Sequence, residues 1–350
     1  MNEALFSPAK TPIRVAVTGG GGFLGNAILR HCRARGWEVV ALGRTPRPDL
    51  VGEGVSFSSL DISRPENIEK LAEIFTGADV VFHTAAKAGV WGKYADFEKA
   101  NLTGTRNVIE ACRRAGTRNL VYTSTPSVVF NGNAICGGNE SLPYYSGKLS
   151  PYAKTKAEAE AEVRRAHSGN LRTVSLRPHL IWGVGDPHLL PRVIEQASQM
   201  KLRIVGDGKN KVDLTHVENA AHAHLLAAEA LLADNPALCK NPNGNGNAYF
   251  VSDGAPVVLW DWINNFLTGL GVPAVTGKIS FKAAYRAGTL LEFFWKIFGV
   301  AGEPPITRFV ATELSHDHWF DISALKKDLG YAPIVSDAEG VRRLLENYSR

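Results

Sequence analysis

Apolar segments alternate with amphipathic segments over the first half of the chain. Short apolar runs occupy Arg14–Thr18, Val39–Leu42, Asp79–His83 and Leu120–Ser124. Between them, apolar residues recur every three to four positions, which predicts helices over 23–35, 65–75 and 101–115. Apolar strands connected by helices are typical of a parallel sheet covered on both faces. The pattern therefore predicts an α/β protein with a Rossmann-type doubly wound sheet, which binds ligands at the carboxyl ends of its strands.

The alternation loosens after about residue 182, where proline and glycine are more frequent. Strands are predicted there over 202–205 and 248–252, and helices over 188–200, 218–233 and 259–270. We predict a loose tail (1–12), a dinucleotide-binding Rossmann domain (13–182, with 212–254 returning to it) and a smaller mixed substrate-binding lobe (183–211 and 255–350). Residues 241–247 have the composition of a surface loop.

A glycine-rich segment follows the first strand directly. Gly19, Gly22 and Gly25 form the pattern G-x-x-G-x-x-G. The first glycine permits a tight turn, the second lets backbone approach a pyrophosphate, and the third lets the helix pack closely on the sheet. The helix N-terminus, with Phe23 and Leu24, offers free N–H groups to phosphates. Because it connects a strand to an amphipathic helix, this segment predicts a dinucleotide site.

The end of the second strand distinguishes NAD from NADP. Proteins that bind NAD usually place Asp or Glu there, to accept hydrogen bonds from the ribose 2′-OH. Here Arg44 follows the strand, and no acidic residue appears before Asp49. A guanidinium suits a 2′-phosphate, so the sequence favours NADPH over NADH. Asp61, with Ile62, is expected near the adenine amino group.

A tyrosine and a lysine follow the helix-start signal at Ser150. Tyr152 and Lys156 are four residues apart, so they share one face of the helix. A neighbouring ammonium favours the phenolate, and we therefore expect Lys156 to lower the pKa of Tyr152. Hydroxyls at 123–125, about 30 residues upstream, can polarise a carbonyl oxygen. Together with the glycine segment, these residues predict hydride transfer to or from a nicotinamide cofactor.

Taken together, these motifs resemble the extended short-chain dehydrogenase/reductases over nearly the whole chain. The closest branch is the 3β-hydroxysteroid dehydrogenase/isomerase-like one, on the segments 85–92, 123–128, 177–183, 206–213 and 302–309. The resemblance implies that Tyr152 is the proton donor, that Lys156 holds the nicotinamide ribose, and that Thr125 or its neighbour Ser124 is the catalytic hydroxyl. It also implies further cofactor-binding residues: Thr84, Ala85, Ala86, Asn101, Thr123 and Pro178.

A narrower resemblance is to bacterial reductases of long-chain 2-alkyl-3-oxoalkanoates in olefin biosynthesis. It implies NADPH-dependent reduction of a 3-keto group, a lipophilic substrate, and a β-lactone synthetase and a decarboxylase as partners. The alternatives are a 3β-hydroxysteroid or 4-carboxysterol dehydrogenase that works with NAD, a nucleotide-sugar epimerase, and a dinucleotide-binding regulator without turnover. Family members are commonly dimers, so the resemblance also implies a homodimer.

Residues that would contact the substrate are less clearly marked. We expect Lys87 or His179 to meet a substrate carboxylate, and the further candidates are Trp91, Ser127 and Tyr285. The segment 281–300 is rich in aromatic and aliphatic residues and predicts a helix. That helix either packs into the second lobe or forms an apolar wall for an acyl chain or sterol, with a membrane surface or a partner as another contact.

Composition and charge exclude several other classes. The net charge of +5 is spread along the chain, unlike the clustered charge of a nucleic-acid-binding protein. The sequence contains no run of about 18 apolar residues, which is the length needed to span a membrane. The N-terminus lacks the features of a signal peptide. The four cysteines lie far apart without the spacing of metal ligands, which indicates a reducing compartment and no metal site. We therefore predict a cytoplasmic enzyme.

Overall fold

The computed structural model describes residues 12–52, 55–239 and 245–348. Almost all of the predicted tail and most of the predicted 241–247 loop lie outside the described residues. The strands in the described ranges are β1 (Arg14–Thr18), β2 (Glu38–Gly43), β3 (Ser56–Ser59), β4 (Val80–His83), β5 (Asn119–Thr123), β6 (Ile135–Gly138), β7 (Arg172–Pro178), β8 (Ile181–Trp182), β9 (Ile204–Val205), β10 (Lys211–Val212), β11 (Thr215–His216), β12 (Asn247–Val251), β13 (Val257–Val258), β14 (Lys278–Ile279) and β15 (His318–Phe320).

Helices connect these strands throughout the described ranges. They are α1 (Phe23–Ala34), α2 (Pro48–Gly52), α3 (Ile68–Phe75), α4 (Tyr94–Phe97), α5 (Gly104–Ala115), α6 (Pro151–Arg165), α7 (Leu189–Ser198), α8 (Val217–Leu232), α9 (Pro236–Cys239), α10 (Leu259–Gly269), α11 (Phe281–Phe298), α12 (Arg308–Glu313), α13 (Ser323–Leu329) and α14 (Asp337–Tyr348). A π-helix over Glu98–Thr103 runs directly into α5. None of the helices in the described residues is both long and apolar enough to cross a membrane.

Seven parallel strands form the central sheet, in the order β12-β7-β5-β4-β1-β2-β3. Chain order runs outwards in one direction from β1 through β2 to β3, and in the other direction from β4. The crevice between the carboxyl ends of β1 and β4 is therefore the switch point at which such sheets bind ligands. The predicted Rossmann-type doubly wound sheet is confirmed.

Strand β7 is a central element that the hydrophobic pattern does not predict. Its seven residues are all buried, but they include two arginines and a serine, which interrupt the expected apolar run. Arg177 is paired with Glu160 on α6, and Arg172 donates a hydrogen bond to Asn119 on β5. Polar side chains can be buried when they are paired. The strand is therefore buried although its sequence lacks the apolar run that would predict it.

The second half of the chain adds a smaller mixed sheet and helices to the central one. Strands β13, β10, β15 and β6 form this sheet, in which β10 and β13 are antiparallel. Strand β6 lies within the range predicted for the Rossmann domain, yet it pairs with β15 near the C-terminus. Strand β12 pairs with β7 at the edge of the central sheet. The division into domains stays a prediction.

Candidate active site

A cavity of about 370 Å³ lies along the carboxyl ends of β1 to β4. We call it the cofactor cleft. Its lining combines backbone of the glycine segment with side chains that follow β2, β3 and β4. The lining residues are Gly19, Gly21, Gly22, Leu42, Gly43, Arg44, Thr45, Arg47, Leu60, Asp61, Ile62, Ser63, Thr84, Ala85, Ala86, Lys87 and Ala100.

Two positions of the glycine segment have no room for a side chain. Gly19 has a φ of +72°, and a Cβ there would lie 2.8 Å from the backbone nitrogen of Ala85. A Cβ on Gly25, in the first turn of α1, would overlap the carbonyl oxygen of Gly19. At Gly22, by contrast, a Cβ would lie 3.2 Å from the Gly19 carbonyl oxygen, which is a tight contact but not an overlap. This bare backbone at a helix N-terminus fits the pyrophosphate of a dinucleotide.

Two arginines border the cleft beyond β2. The exposed Arg44 lines it directly, and the Arg47 guanidinium lies against the glycine segment, where it donates a hydrogen bond to the Gly21 carbonyl. Asp49, the first acidic residue after β2, is paired with Arg47. Arg47 is not among the predicted cofactor residues, although a second arginine three positions after Arg44 is a signal that could have found it. The mouth of the cleft near β2 is therefore cationic.

Asp61 and Ile62 line the cleft on the β3 side. The Asp61 carboxylate accepts hydrogen bonds from the backbone and hydroxyl of Ser63, at 3.0 and 2.7 Å. The Ile62 side chain packs against Gly104 at the start of α5. Both residues line the cleft, and their position next to the adenine amino group stays a prediction.

Asn101 lies beneath the segment that follows β4. Its amide oxygen accepts a hydrogen bond from the Lys87 backbone at 2.7 Å, and its amide nitrogen donates to the Lys87 carbonyl at 3.1 Å. The residue is buried within the π-helix. Asn101 therefore fixes the backbone of Lys87, which lines the cleft, and does not line the cleft itself. Thr84, Ala85 and Ala86 do line it.

Lys156 is buried beside the end of β5. Its ammonium donates a hydrogen bond to the Thr123 carbonyl at 2.6 Å and lies 4.2 Å from the centre of the Tyr122 ring. Burial lowers the pKa of Lys156 to about 7, and the nearby Glu160 carboxylate opposes that change. Thr123 is held from its other side, since its hydroxyl forms a 2.8 Å hydrogen bond with His224.

Tyr152 does not have the lowered pKa that its spacing from Lys156 led us to expect. Burial raises the pKa of its hydroxyl to about 12, a hydrogen bond with the Thr125 hydroxyl acts in the opposite direction, and the Glu313 carboxylate adds to the rise. The Lys156 ammonium is directed to the Thr123 carbonyl and has a lowered pKa of its own. Tyr152 is therefore protonated at neutral pH.

The two candidate hydroxyls after β5 face different neighbours. Thr125 lies beside Tyr152, and its hydroxyl also contacts the Ser127 hydroxyl at 3.3 Å. Ser124 is buried beside the Glu160 carboxylate instead. This arrangement favours Thr125 as the hydroxyl that meets a carbonyl oxygen together with Tyr152, and it brings Ser127 close to the same point.

The predicted carboxylate-binding residues differ in accessibility. Lys87 lines the cleft, and its ammonium lies 3.8 Å from Asp96 and over the Phe97 ring. His179 is buried, and its ring forms a 3.1 Å hydrogen bond with His318. Burial and His318 hold the pKa of His179 well below its usual value of 6.5, so this ring is neutral at pH 7. The geometry favours Lys87.

Several other predicted residues lie outside the cleft. Phe23 and Leu24 begin α1, Pro178 is the buried last residue of β7, and Trp91 is half-buried in the segment before α4. Tyr285, on α11, lies next to Phe281 and interacts with Arg308. The cleft residues and the Tyr152 group thus lie at neighbouring strand ends, whereas Tyr285 belongs to the contact between α11 and α12.

Glu313 is a residue of the site that no motif indicates. It ends α12, and its carboxylate is close enough to the Tyr152 hydroxyl to raise its pKa. The described residues provide no hydrogen-bond or ion-pair partner for this carboxylate, and burial raises its own pKa to about 8. Its backbone is held by a 2.7 Å hydrogen bond from His318. The only sequence signal is its position just after the 302–309 segment.

Comparison with known proteins identifies the family. The model of the 3-beta hydroxysteroid dehydrogenase/isomerase family matches residues 16–282. A Stenotrophomonas maltophilia (strain K279a) protein named 2-alkyl-3-oxoalkanoate reductase is 46% identical over 334 residues, which cover 95% of this chain and 98% of that protein. An Arabidopsis thaliana protein named 3beta-hydroxysteroid-dehydrogenase/decarboxylase isoform 1 is 34% identical over 352 residues, which cover 95% of this chain and 79% of that protein.

The fold is shared with solved structures of lower sequence identity. A double mutant of the dTDP-glucose 4,6-dehydratase DesIV from Streptomyces venezuelae, solved with NAD bound, has a TM-score of 0.71 at 23% identity and covers 97% of both chains. This likeness supports the fold alone. The family match and the sequence relatives extend further, and they show that the chain is a nicotinamide-dependent oxidoreductase that belongs to the 3-beta hydroxysteroid dehydrogenase/isomerase family.

Proposed function

We propose that the protein is an NADPH-dependent reductase that converts a long-chain 2-alkyl-3-oxoalkanoate to the 2-alkyl-3-hydroxyalkanoate. The observation that carries the chemistry is the Tyr152 hydroxyl, hydrogen-bonded to Thr125 and protonated at neutral pH, one helical turn from Lys156. The substrate class rests on the 46% identity to a reductase of that name over nearly the full length of both chains.

In this proposal, the substrate ketone oxygen lies between Tyr152 and Thr125. Both hydroxyls donate hydrogen bonds to it, which polarises the carbonyl. Bound NADPH supplies the hydride that adds to C3. Tyr152 donates its proton to the oxygen, so that the ketone becomes a hydroxyl group. Lys156, whose ammonium donates a hydrogen bond to the Thr123 carbonyl, holds the nicotinamide ribose. Lys87 meets the substrate carboxylate.

The preference for NADPH rests on the charge of the cleft near β2. Arg44 and Arg47 both line it, and Asp49, the first acidic residue after β2 in the chain, is already paired with Arg47. A 2′-phosphate carries negative charge and accepts bidentate hydrogen bonds from a guanidinium. The carboxylate that usually accepts hydrogen bonds from a 2′-OH is not present at the residues directly after β2, which are Arg44 and Thr45.

A 3β-hydroxysteroid or 4-carboxysterol dehydrogenase remains the alternative proposal. It would use the same tyrosine and lysine, in the oxidising direction and with NAD. It is supported by the family to which the chain belongs and by the 34% identical plant relative. The arginines at the end of β2 favour the reductase.

The test is a cofactor-reduction assay in the oxidising direction, because free β-keto acids lose carbon dioxide readily. The purified protein is offered NADP⁺ or NAD⁺ with a long-chain 2-alkyl-3-hydroxy acid or with a 3β-hydroxysteroid. We expect turnover of the hydroxy acid with NADP⁺. Turnover of the steroid alone would refute the proposed substrate, and faster turnover with NAD⁺ would refute the proposed cofactor.

Variants separate the two parts of this proposal. Tyr152→Phe should lower kcat by about 10²- to 10⁴-fold, the usual contribution of a general acid, while NADPH binding is retained. Arg44→Ala should raise KM for NADP⁺ by about tenfold or more, as expected for a lost hydrogen bond to a charged group, and leave KM for NAD⁺ unchanged. Arg113→Ala, an exposed cation at the end of α5, is the matched control.

A further inference from the structure

Helix α11 presents an apolar face to solvent. Leu290, Phe293, Phe294, Ile297 and Phe298 are exposed by 60, 59, 47, 58 and 69%. Their spacing of three and four residues places all five on one face of the helix. We call this face the α11 stripe. Exposed patches of this kind usually mark an interaction site.

The opposite face of α11 accounts for its packing in the fold. Ala284 and Gly288 are buried, and a Cβ on Gly288 would lie 2.8 Å from the backbone of Thr307 and Arg308. Glu292 accepts hydrogen bonds from the Arg308 backbone at 2.6 Å and from its guanidinium at 2.8 Å, which caps the start of α12. The α11 stripe is thus left over after the helix has packed, and the described structure does not cover it.

Positive charge accompanies the stripe, and negative charge does not. Lys282, Arg286 and Lys296 are exposed on α11, and none of them forms an ion pair with a described residue. Arg286 lies one turn before Leu290, on the same face. The single acidic residue of the helix, Glu292, is turned inward to Arg308. The outward surface of α11 is therefore apolar with a cationic border.

We propose that the α11 stripe docks on the surface of a bilayer that contains anionic phospholipid. Bulky apolar side chains on one face and Lys or Arg beside them are typical of helices that lie in the membrane interface. The apolar side chains would enter the boundary between headgroups and acyl chains, and the three cations would meet lipid phosphates. Two copies packed stripe to stripe would instead bring like charges together. The proposal does not depend on which substrate the enzyme reduces.

Binding to lipid vesicles tests this proposal directly. The full chain is sedimented with vesicles of phosphatidylcholine alone and with vesicles that also contain phosphatidylglycerol. We expect binding to the anionic vesicles that weakens with salt. Phe293→Ser with Ile297→Ser should weaken it at least about tenfold, through the lost apolar burial. Replacing Lys282, Arg286 and Lys296 by Gln should cost about fivefold for each cation.

Matched controls and the state of assembly complete the test. Ile334→Ser removes an exposed apolar side chain, and Lys327→Gln an exposed cation, away from α11. Both should bind vesicles as the unchanged protein does, and every variant should retain NADPH binding as evidence of folding. Failure of the unchanged protein to bind anionic vesicles would overturn the proposal. A second result would also overturn it: light scattering shows that the unchanged protein self-associates, and the Phe293→Ser/Ile297→Ser variant abolishes this self-association but still binds vesicles.

Discussion

Replacing Glu313 by Gln should change how the stability of the protein depends on pH. In the folded protein, burial without a cationic partner raises the pKa of this carboxyl to about 8, whereas its ordinary value is 4.5. The folded state therefore binds more protons than the unfolded chain between these two values. The unfolded chain binds fewer protons there, so the free energy of unfolding falls as pH rises through that window. Glutamine has no proton to lose there.

The size of this effect follows from the two pKa values. A rise from 4.5 to about 8 corresponds to at most roughly 5 kcal/mol, at about 1.4 kcal/mol for each tenfold change in acidity. Most of it develops between pH 5 and pH 9. Because Glu313 keeps part of its surface in contact with solvent, screening reduces this limit, and we expect about 2–4 kcal/mol.

The assay is urea unfolding of both proteins at pH 5, 7 and 9. The Glu313→Gln variant should gain stability relative to the unchanged protein as pH rises, with an unchanged m-value. Glu195→Gln, an exposed carboxyl on α7, is the control and should show a constant difference. A constant difference for Glu313→Gln as well would refute the reasoning. The variant should also lower the pKa of Tyr152, which loses a neighbouring negative charge.

Two further predictions concern the parts that hold the site. Gly25→Ala should abolish tight NADPH binding and lower Tm by several degrees, because the new Cβ would overlap the Gly19 carbonyl. Titration of NADPH fluorescence measures the affinity, and an unchanged affinity would contradict this prediction. Glu160→Gln should cost about 3–5 kcal/mol in urea unfolding, since it leaves the buried Arg177 without its ion-pair partner. A loss below about 1 kcal/mol would show that Arg177 finds another partner.

Local patterns in the sequence predict much of the cofactor half. Strands β1, β2, β4 and β5 belong to a sheet covered on both faces, so most of their residues are apolar. The glycine spacing is set by contacts within a few residues, as the approach of Gly25 to Gly19 shows. Tyr152 and Lys156 share a helix face because of the helical repeat alone. Each of these features depends on short stretches of chain, which is why the sequence is sufficient for them.

The remaining features depend on contacts between distant segments. Glu313, at the end of α12, lies close enough to Tyr152 on α6 to raise its pKa, and no local pattern encodes that approach. Strand β7 has no continuous apolar pattern because it contains the buried Arg177, whose ion-pair partner Glu160 comes from α6. The choice between Thr125 and Ser124 likewise depends on which neighbour each hydroxyl meets.

Helix α11 shows most clearly that the sequence pattern alone does not determine which face of a helix is buried. Its sequence determines that Leu290, Phe293 and Ile297 share one apolar face, and a buried helix would have the same pattern. Tertiary packing decides that Gly288 takes the inner contact with α12 and that the apolar face is left in solvent. Periodicity specifies which side chains lie together, whereas what covers them is decided by the packing of the whole chain.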